Sequence, residues 1–145
     1  MPNLQAAEIL LVEDNPADVE LTRLSMEQSK VLNSLHAVSN GEDALRFLNK
    51  EGPFEAAPTP DLVLLDLNLP GIDGREVLQF IKSSETHRSV PVVVLTSSES
   101  DHDVANAYDL HANCFISKPI NLEQFARVVE SLEQFWFSVV KLPGH

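Results

Sequence analysis

Four short apolar runs, ILLV at 9–12, LVLL at 62–65, VVVL at 92–95 and CFI at 114–116, restrict this chain to few folds. None alternates apolar with polar residues, so each reads as a strand covered on both faces, as in a parallel sheet sheltered by helices. A weaker run at 35–38 supplies a fifth strand. Between the runs the pattern turns helical. Asn15 is placed to cap a helix with Pro16 at its first position and Asp18 in its first turn, ahead of Leu21 and Leu24. Asn40 with Asp43 starts a second, before Leu45 and Leu48. Val77, Leu78 and Ile81 mark a third, Val104, Ala107 and Tyr108 a fourth, and Leu122, Phe125, Val129, Leu132 and Trp136 a fifth. Strand then helix, repeated along the chain, predicts a doubly wound α/β domain: a five-stranded parallel sheet with helices on both faces and right-handed crossovers.

Length and charge narrow the function. The 145 residues are expected to form one domain, with a last helix and short tail at about 121–145. Ten Lys and Arg against 22 Asp and Glu give a net charge of −12, which repels a phosphate backbone, so direct DNA binding is not expected. Cys114 has no partner cysteine and sits beside Phe115 and Ile116, which reads as a small buried side chain in a reducing compartment. No apolar run is long enough to cross a bilayer, and the N-terminus lacks a basic region followed by an apolar core; the expectation is a soluble, cytoplasmic protein without membrane contact. Pro53, Pro58 and Pro60 make the segment 49–60 a loop leading into the third strand.

Every strong apolar run ends in polar chemistry: Glu13 and Asp14 after the first, Asp66 after LVLL, Thr96 after VVVL, Ser117 and Lys118 after CFI. In a parallel sheet these ends share one edge, and ligands bind outside that edge where the strand order reverses. Three carboxylates converging there repel one another unless a cation neutralises them. Hard oxygen donors suit Mg²⁺, which completes its shell with water, a carbonyl or a phosphate. A metal, a lysine and a hydroxyl around one carboxylate form a site for phosphoryl chemistry, with Asp66 as the nucleophile that becomes an aspartyl phosphate. Singly, each residue has an ordinary reading: a solvated strand end, a surface lysine, a turn hydroxyl, a helix-capping acid pair. Their joint placement favours the site. The five histidines show no ligand spacing and are expected at the surface.

Glu13-Asp14, Asp66 in LVLLDLNLPGIDG, Thr96-Ser97 and Lys118-Pro119 together resemble the receiver domain of two-component response regulators, over nearly the whole chain. The resemblance implies the flavodoxin-like receiver fold, and phosphoryl transfer to Asp66 from the phosphohistidine of a sensor histidine kinase. It implies a Mg²⁺ site made by Glu13, Asp14, Asp66 and the backbone carbonyl of Asn68. It further implies that Thr96 hydrogen-bonds the phosphoryl group, that Lys118 neutralises it, and that Phe115 is the switch aromatic. Such a domain is a signalling switch that assists its own phosphorylation and dephosphorylation rather than an enzyme acting on external substrates. The proline-bearing loop, KSSETHRSVPVVVLT and the ending FWFSVVKLP look like regulators paired with cyanobacterial phytochrome kinases.

The family commonly appends a DNA-binding domain; here the sequence ends after the fifth predicted helix, and the expected output is a protein contact. Phe135, Trp136 and Phe137 are consecutive, so on a helix they point about 100° apart and cannot share one core stripe. With Val139 and Val140 they predict an exposed apolar patch and a homodimer through the last helix. The enzyme rival is a phosphatase of the haloacid dehalogenase class, which also forms an aspartyl phosphate but needs a second Asp two residues on, where Asn68 stands. A calcium loop from Asp66 fails at Pro70 and Val77, and no glycine-rich phosphate cradle follows the first strand.

Overall fold

The computed structural model describes residues 7–28, 33–67, 69, 71–96, 114–117, 123 and 127. Its elements in chain order are β1 (Ala7–Val12), α1 (Pro16–Glu27), β2 (Asn33–Val38), α2 (Gly41–Asn49), a single 3₁₀ turn (Gly52–Phe54), β3 (Leu62–Asp66), α3 (Gly74–Ser83), β4 (Val92–Thr96) and β5 (Cys114–Ser117). All strand pairs are parallel, and the order across the sheet is β2-β1-β3-β4-β5. This is the flavodoxin-like order, whose direction reverses between β1 and β3. The five strands expected from the apolar runs are all present, each extended by one or two residues at an end. No helix among the described residues is long and apolar enough to cross a membrane.

Reversal of strand order distributes the helices. Right-handed crossovers that step outward from β1 to β2 and then back toward β3 and β4 must pass on opposite faces. Strand alternation accordingly sends Leu10, Val12, Val63, Leu65, Val92 and Val94 into one cluster with Phe47 and Leu48 of α2 and Val77, Leu78 and Ile81 of α3. The intervening residues Ile9, Leu11, Leu62, Leu64 and Val93 are equally buried and serve the other face, where α1 buries Met26. Each such fully buried side chain contributes about 1.5–3 kcal/mol relative to exposure.

The helix starts follow the sequence. The Asn15 side chain accepts from the N–H groups of Ala17 (2.9 Å) and Asp18 (3.3 Å), with Pro16 at the first helical position. Asn40 accepts from Asp43 N–H at 2.7 Å. Each side chain satisfies donors that the first helical turn leaves without a carbonyl.

Three expectations are corrected. Leu21 and Leu24 are exposed, each at 45%, and the inward face of α1 is carried by Thr22 and Met26; the Thr22 hydroxyl is buried by donating to Asp18 O at 2.8 Å. His87 is not a surface residue but is 5% exposed, its ring tilted against Phe80 with ring centroids 6.2 Å apart; the turn after α3 folds it inward. His36 is half-buried, its Nε2 2.6 Å from Glu8 Oε2 on the neighbouring strand. The proline-bearing segment is a loop, as expected, but it also packs: Phe54 lies 5.7 Å from the Phe47 ring and, with Ala57, covers the α2 side of the core. The fourth and fifth predicted helices lie outside the described residues, apart from Glu123 and Arg127, which are helical, exposed and ion-paired with each other.

Candidate functional site

β1 does not stop cleanly at Val12. Glu13 N–H donates to Val38 O at 3.0 Å, carrying the β1–β2 pairing one residue further and drawing Glu13 into the interior, where it is 1% exposed. Its Oε2 accepts Asn15 N–H at 3.2 Å, so the chain folds back over the carboxylate as α1 begins. Asp14 next to it is exposed. Asp66 ends β3, adjacent to β1 in the sheet, and is 4% exposed. One carboxylate oxygen from each of Glu13, Asp14 and Asp66 lies within 4.8 Å of the other two.

That convergence has an electrostatic consequence. For the buried pair Glu13 and Asp66, two unit charges at this separation repel by on the order of 3 kcal/mol at an effective dielectric of about 20. A divalent cation removes the repulsion. The donors are all hard carboxylate oxygens, two of them buried, close enough to share one ion, and this chemistry fits Mg²⁺. Among the described residues no other cluster of three metal-ligating side chains occurs. Beside Glu13 and Asp14 a cavity of about 390 Å³ opens toward Ser39 and Asp43, leaving room at the sheet edge.

The segment after Asp66 is held closely. Gly74 N–H donates to Leu67 O at 3.2 Å, and a Cβ at Gly74 would lie 2.3 Å from the Asp66 carbonyl oxygen and 2.6 Å from Leu67 Cα. Only glycine lets α3 start against the peptide that follows the carboxylate. Asp73 caps that helix by accepting Arg75 N–H at 2.7 Å.

Register carries the remaining strand ends to the same edge. Asp66 pairs with Leu95 and Thr96 with Ser117, so the backbones of Asp66, Thr96 and Ser117 end side by side, and Phe115 pairs with Val94. Of the residues expected at the site, Glu13, Asp14 and Asp66 are brought together; Thr96 and Phe115 are placed by their backbones. Asn68, Lys118, Pro119 and the aromatic run Phe135, Trp136 and Phe137 lie outside the described residues. Sequence reasoning missed two contributors. Asp73 was signalled by Glu76 three residues on, an acidic capping pattern at a helix start. Glu42, whose carboxylate accepts Ile72 N–H at 2.9 Å across 30 residues of chain, left no local signal.

A family profile described as the response regulator receiver domain matches residues 9–130. Response regulator Rcp1 of Synechocystis sp. is 44% identical over 136 residues, covering 94% of this chain and 92% of that protein. Among solved structures, the phosphorylated cyanobacterial phytochrome response regulator RcpA is similar with a TM-score of 0.77 and 45% identity, over 97% of this chain and 100% of that one. The Mn²⁺-bound form of Rcp1 has a TM-score of 0.75 and 43% identity, over 95% and 99% of the two chains.

Proposed function

Because the chain belongs to the response regulator receiver domain family, we propose that Asp66 is its phosphoacceptor, charged by a sensor histidine kinase. The observation that carries this reading is the meeting of Glu13, Asp14 and Asp66 at the point where the strand order reverses, with Asp66 itself nearly buried. An Asp66 oxygen attacks phosphorus, the bond from phosphorus to the kinase imidazole nitrogen breaks, and the electron pair leaves with the imidazole. Glu13 and Asp14, with Asp66 and the carbonyl of Asn68, would hold Mg²⁺, which offsets charge on the phosphoryl oxygens when bound. Rcp1 in its Mn²⁺-bound form supports a divalent ion for this family. Lys118 follows β5 directly and is assigned the neutralisation of a phosphoryl oxygen; Thr96 is assigned a hydrogen bond to another.

Phosphorylation adds nearly two negative charges at the sheet edge. That charge draws Thr96 inward and lets Phe115 follow, shifting the balance between two packings beside β4 and β5. The domain thereby acts as a switch of protein contacts, and it assists its own phosphorylation and dephosphorylation. The likeness to the cyanobacterial phytochrome response regulator RcpA supports a phytochrome as the kinase, and a cytoplasmic setting is assigned with it. The aromatic run Phe135, Trp136 and Phe137 is assigned to a homodimer contact, to be checked by light scattering of the phosphorylated and unphosphorylated protein.

The decisive experiment is labelling with a small phosphodonor in the presence of Mg²⁺. The wild-type chain is expected to take up one acid-stable, base-labile phosphoryl group, and Asp66→Asn none. Undiminished Mg²⁺-dependent labelling of Asp66→Asn would overturn the assignment.

A further inference from the structure

Two elements distant in sequence meet where the chain leaves Asp66. Glu42 stands in the first turn of α2, and its Oε1 accepts Ile72 N–H at 2.9 Å. Gly71, the preceding residue, adopts φ 69°, and a Cβ there would lie 2.5 Å from the same Glu42 oxygen. From the other side, a Cβ at Gly41 would lie 2.5 Å from Ile72 O and 2.9 Å from Ile72 Cβ. At Gly41 the backbone of α2 thus lies against Ile72 with no room for a side chain of its own. One turn further on, Gly74 rests against the Asp66 carbonyl. The end of the return from Asp66 to α3 is held twice: against Asp66 and Leu67 at Gly74, and to α2 through the bond from Ile72 to Glu42.

We infer that Glu42 is a positioning residue for the phosphoryl pocket, its carboxylate fixing the Ile72 peptide and thereby the turn that begins at Asp66. The inference rests on the reading of Glu13, Asp14 and Asp66 as a metal and phosphoryl site. A charge-assisted bond from a backbone N–H is among the stronger single contacts available to a surface side chain. The hydrogen bond from Ile72 is also the first cause holding the Glu42 carboxyl below its ordinary pKa, followed by the bond from its own backbone N–H. A turn left loose lets the Asp66 carboxylate sample orientations that an ion must then freeze, and contacts of this outer kind orient the ligands themselves. The rival explanation is that Glu42 merely places negative charge at the start of α2.

Calorimetric titration with Mg²⁺ separates the two, because it needs no phosphodonor. Glu42→Ala is expected to weaken Mg²⁺ binding by about tenfold, in the range typical of lost outer-shell support. It should also shift the Ile72 amide proton upfield in the NMR spectrum while leaving circular dichroism unchanged. Glu42→Gln keeps an acceptor oxygen without the charge, and is expected to restore Mg²⁺ binding to within about threefold, as suits a role resting on the hydrogen bond. Wild-type Mg²⁺ affinity in a folded Glu42→Ala protein would overturn the inference, as would a Glu42→Gln protein that binds no better than Glu42→Ala. Wild-type protein that binds Mg²⁺ but takes no phosphoryl group counts against Asp66 as acceptor, while the Mg²⁺ affinities of the two variants still decide the role of Glu42.

Discussion

The two edges of the same sheet treat charge in opposite ways. At the edge where strands begin, Asp61 and Lys82 are tied to backbone partners. Asp61, just ahead of β3, accepts Glu8 N–H at 2.8 Å while its own N–H donates to Glu8 O at 2.7 Å. Lys82, near the end of α3, donates to Val90 O at 3.0 Å and Arg88 O at 3.4 Å as the chain turns toward β4, and burial lowers its pKa. At the edge where strands end, Glu13, Asp14 and Asp66 converge on one another. Among the described residues, one edge uses polar groups to close the fold, while the other gathers carboxylates whose like charge, on the proposed reading, a cation offsets. On that reading, the groups that close the fold and the groups that do chemistry lie at opposite ends of the strands.

Changes at the two edges should therefore have opposite signatures. The largest effect is expected from Asp66→Asn: complete loss of labelling, together with a higher melting temperature in chelator, because one of the three mutually repelling charges is gone. A variant that loses labelling and also melts lower would break the contrast, making Asp66 part of the fold's closure. Next in size is the response to metal. Mg²⁺ at 100 times its Kd should stabilise the wild-type protein by about 2.7 kcal/mol, and chelation should remove that increment. Thermal melts with and without Mg²⁺ measure it, and Asp66→Asn should lose most of it.

The opposite edge supplies the reverse case. Asp61→Ala leaves Glu8 N–H without its carboxylate in a half-buried position and should cost about 2 kcal/mol of unfolding free energy. Labelling rate per folded molecule should not change. Urea unfolding alongside phosphodonor labelling tests both statements, and a slowed rate at unchanged fold would mean that the two edges communicate.

What the residues alone disclose divides along the same line. Runs such as LVLL disclose strands because burial on both faces removes alternation, and Asn15 and Asn40 disclose helix starts because their partners lie two or three residues away. The acidic trio is legible because strand ends in a parallel sheet share an edge whatever the loops do. Glu42 is not legible, since its partner Ile72 is brought to it by the packing of α2 against the turn before α3. The orientation of α1 is not legible either: Leu21 and Leu24 fit an apolar stripe as well as Thr22 and Met26 do, and only the crossover geometry selects the second pair. His87 defeats composition for a similar reason. Histidine is usually exposed, and nothing near it in sequence announces that the turn after α3 will fold inward.

His87 also supplies the finest test of the contrast. It lies at the edge where strands begin, in contact with the Phe80 ring. Burial lowers its pKa first; the Leu48 backbone works against that, and the nearby Lys50 charge adds to the lowering. In the unfolded chain the imidazole takes up a proton as the pH falls through 6.5, while in the folded chain it resists until a lower pH. The unfolded state then binds more protons, so stability is full above pH 6.5 and declines as the pH drops below it. The decline should be smaller than the loss in Asp61→Ala. Urea unfolding between about pH 7.5 and 5.5 should show it in the wild-type protein and show less of it in His87→Gln, which stays polar without titrating in that range. Parallel curves for the two proteins would mean that His87 does not set the pH response.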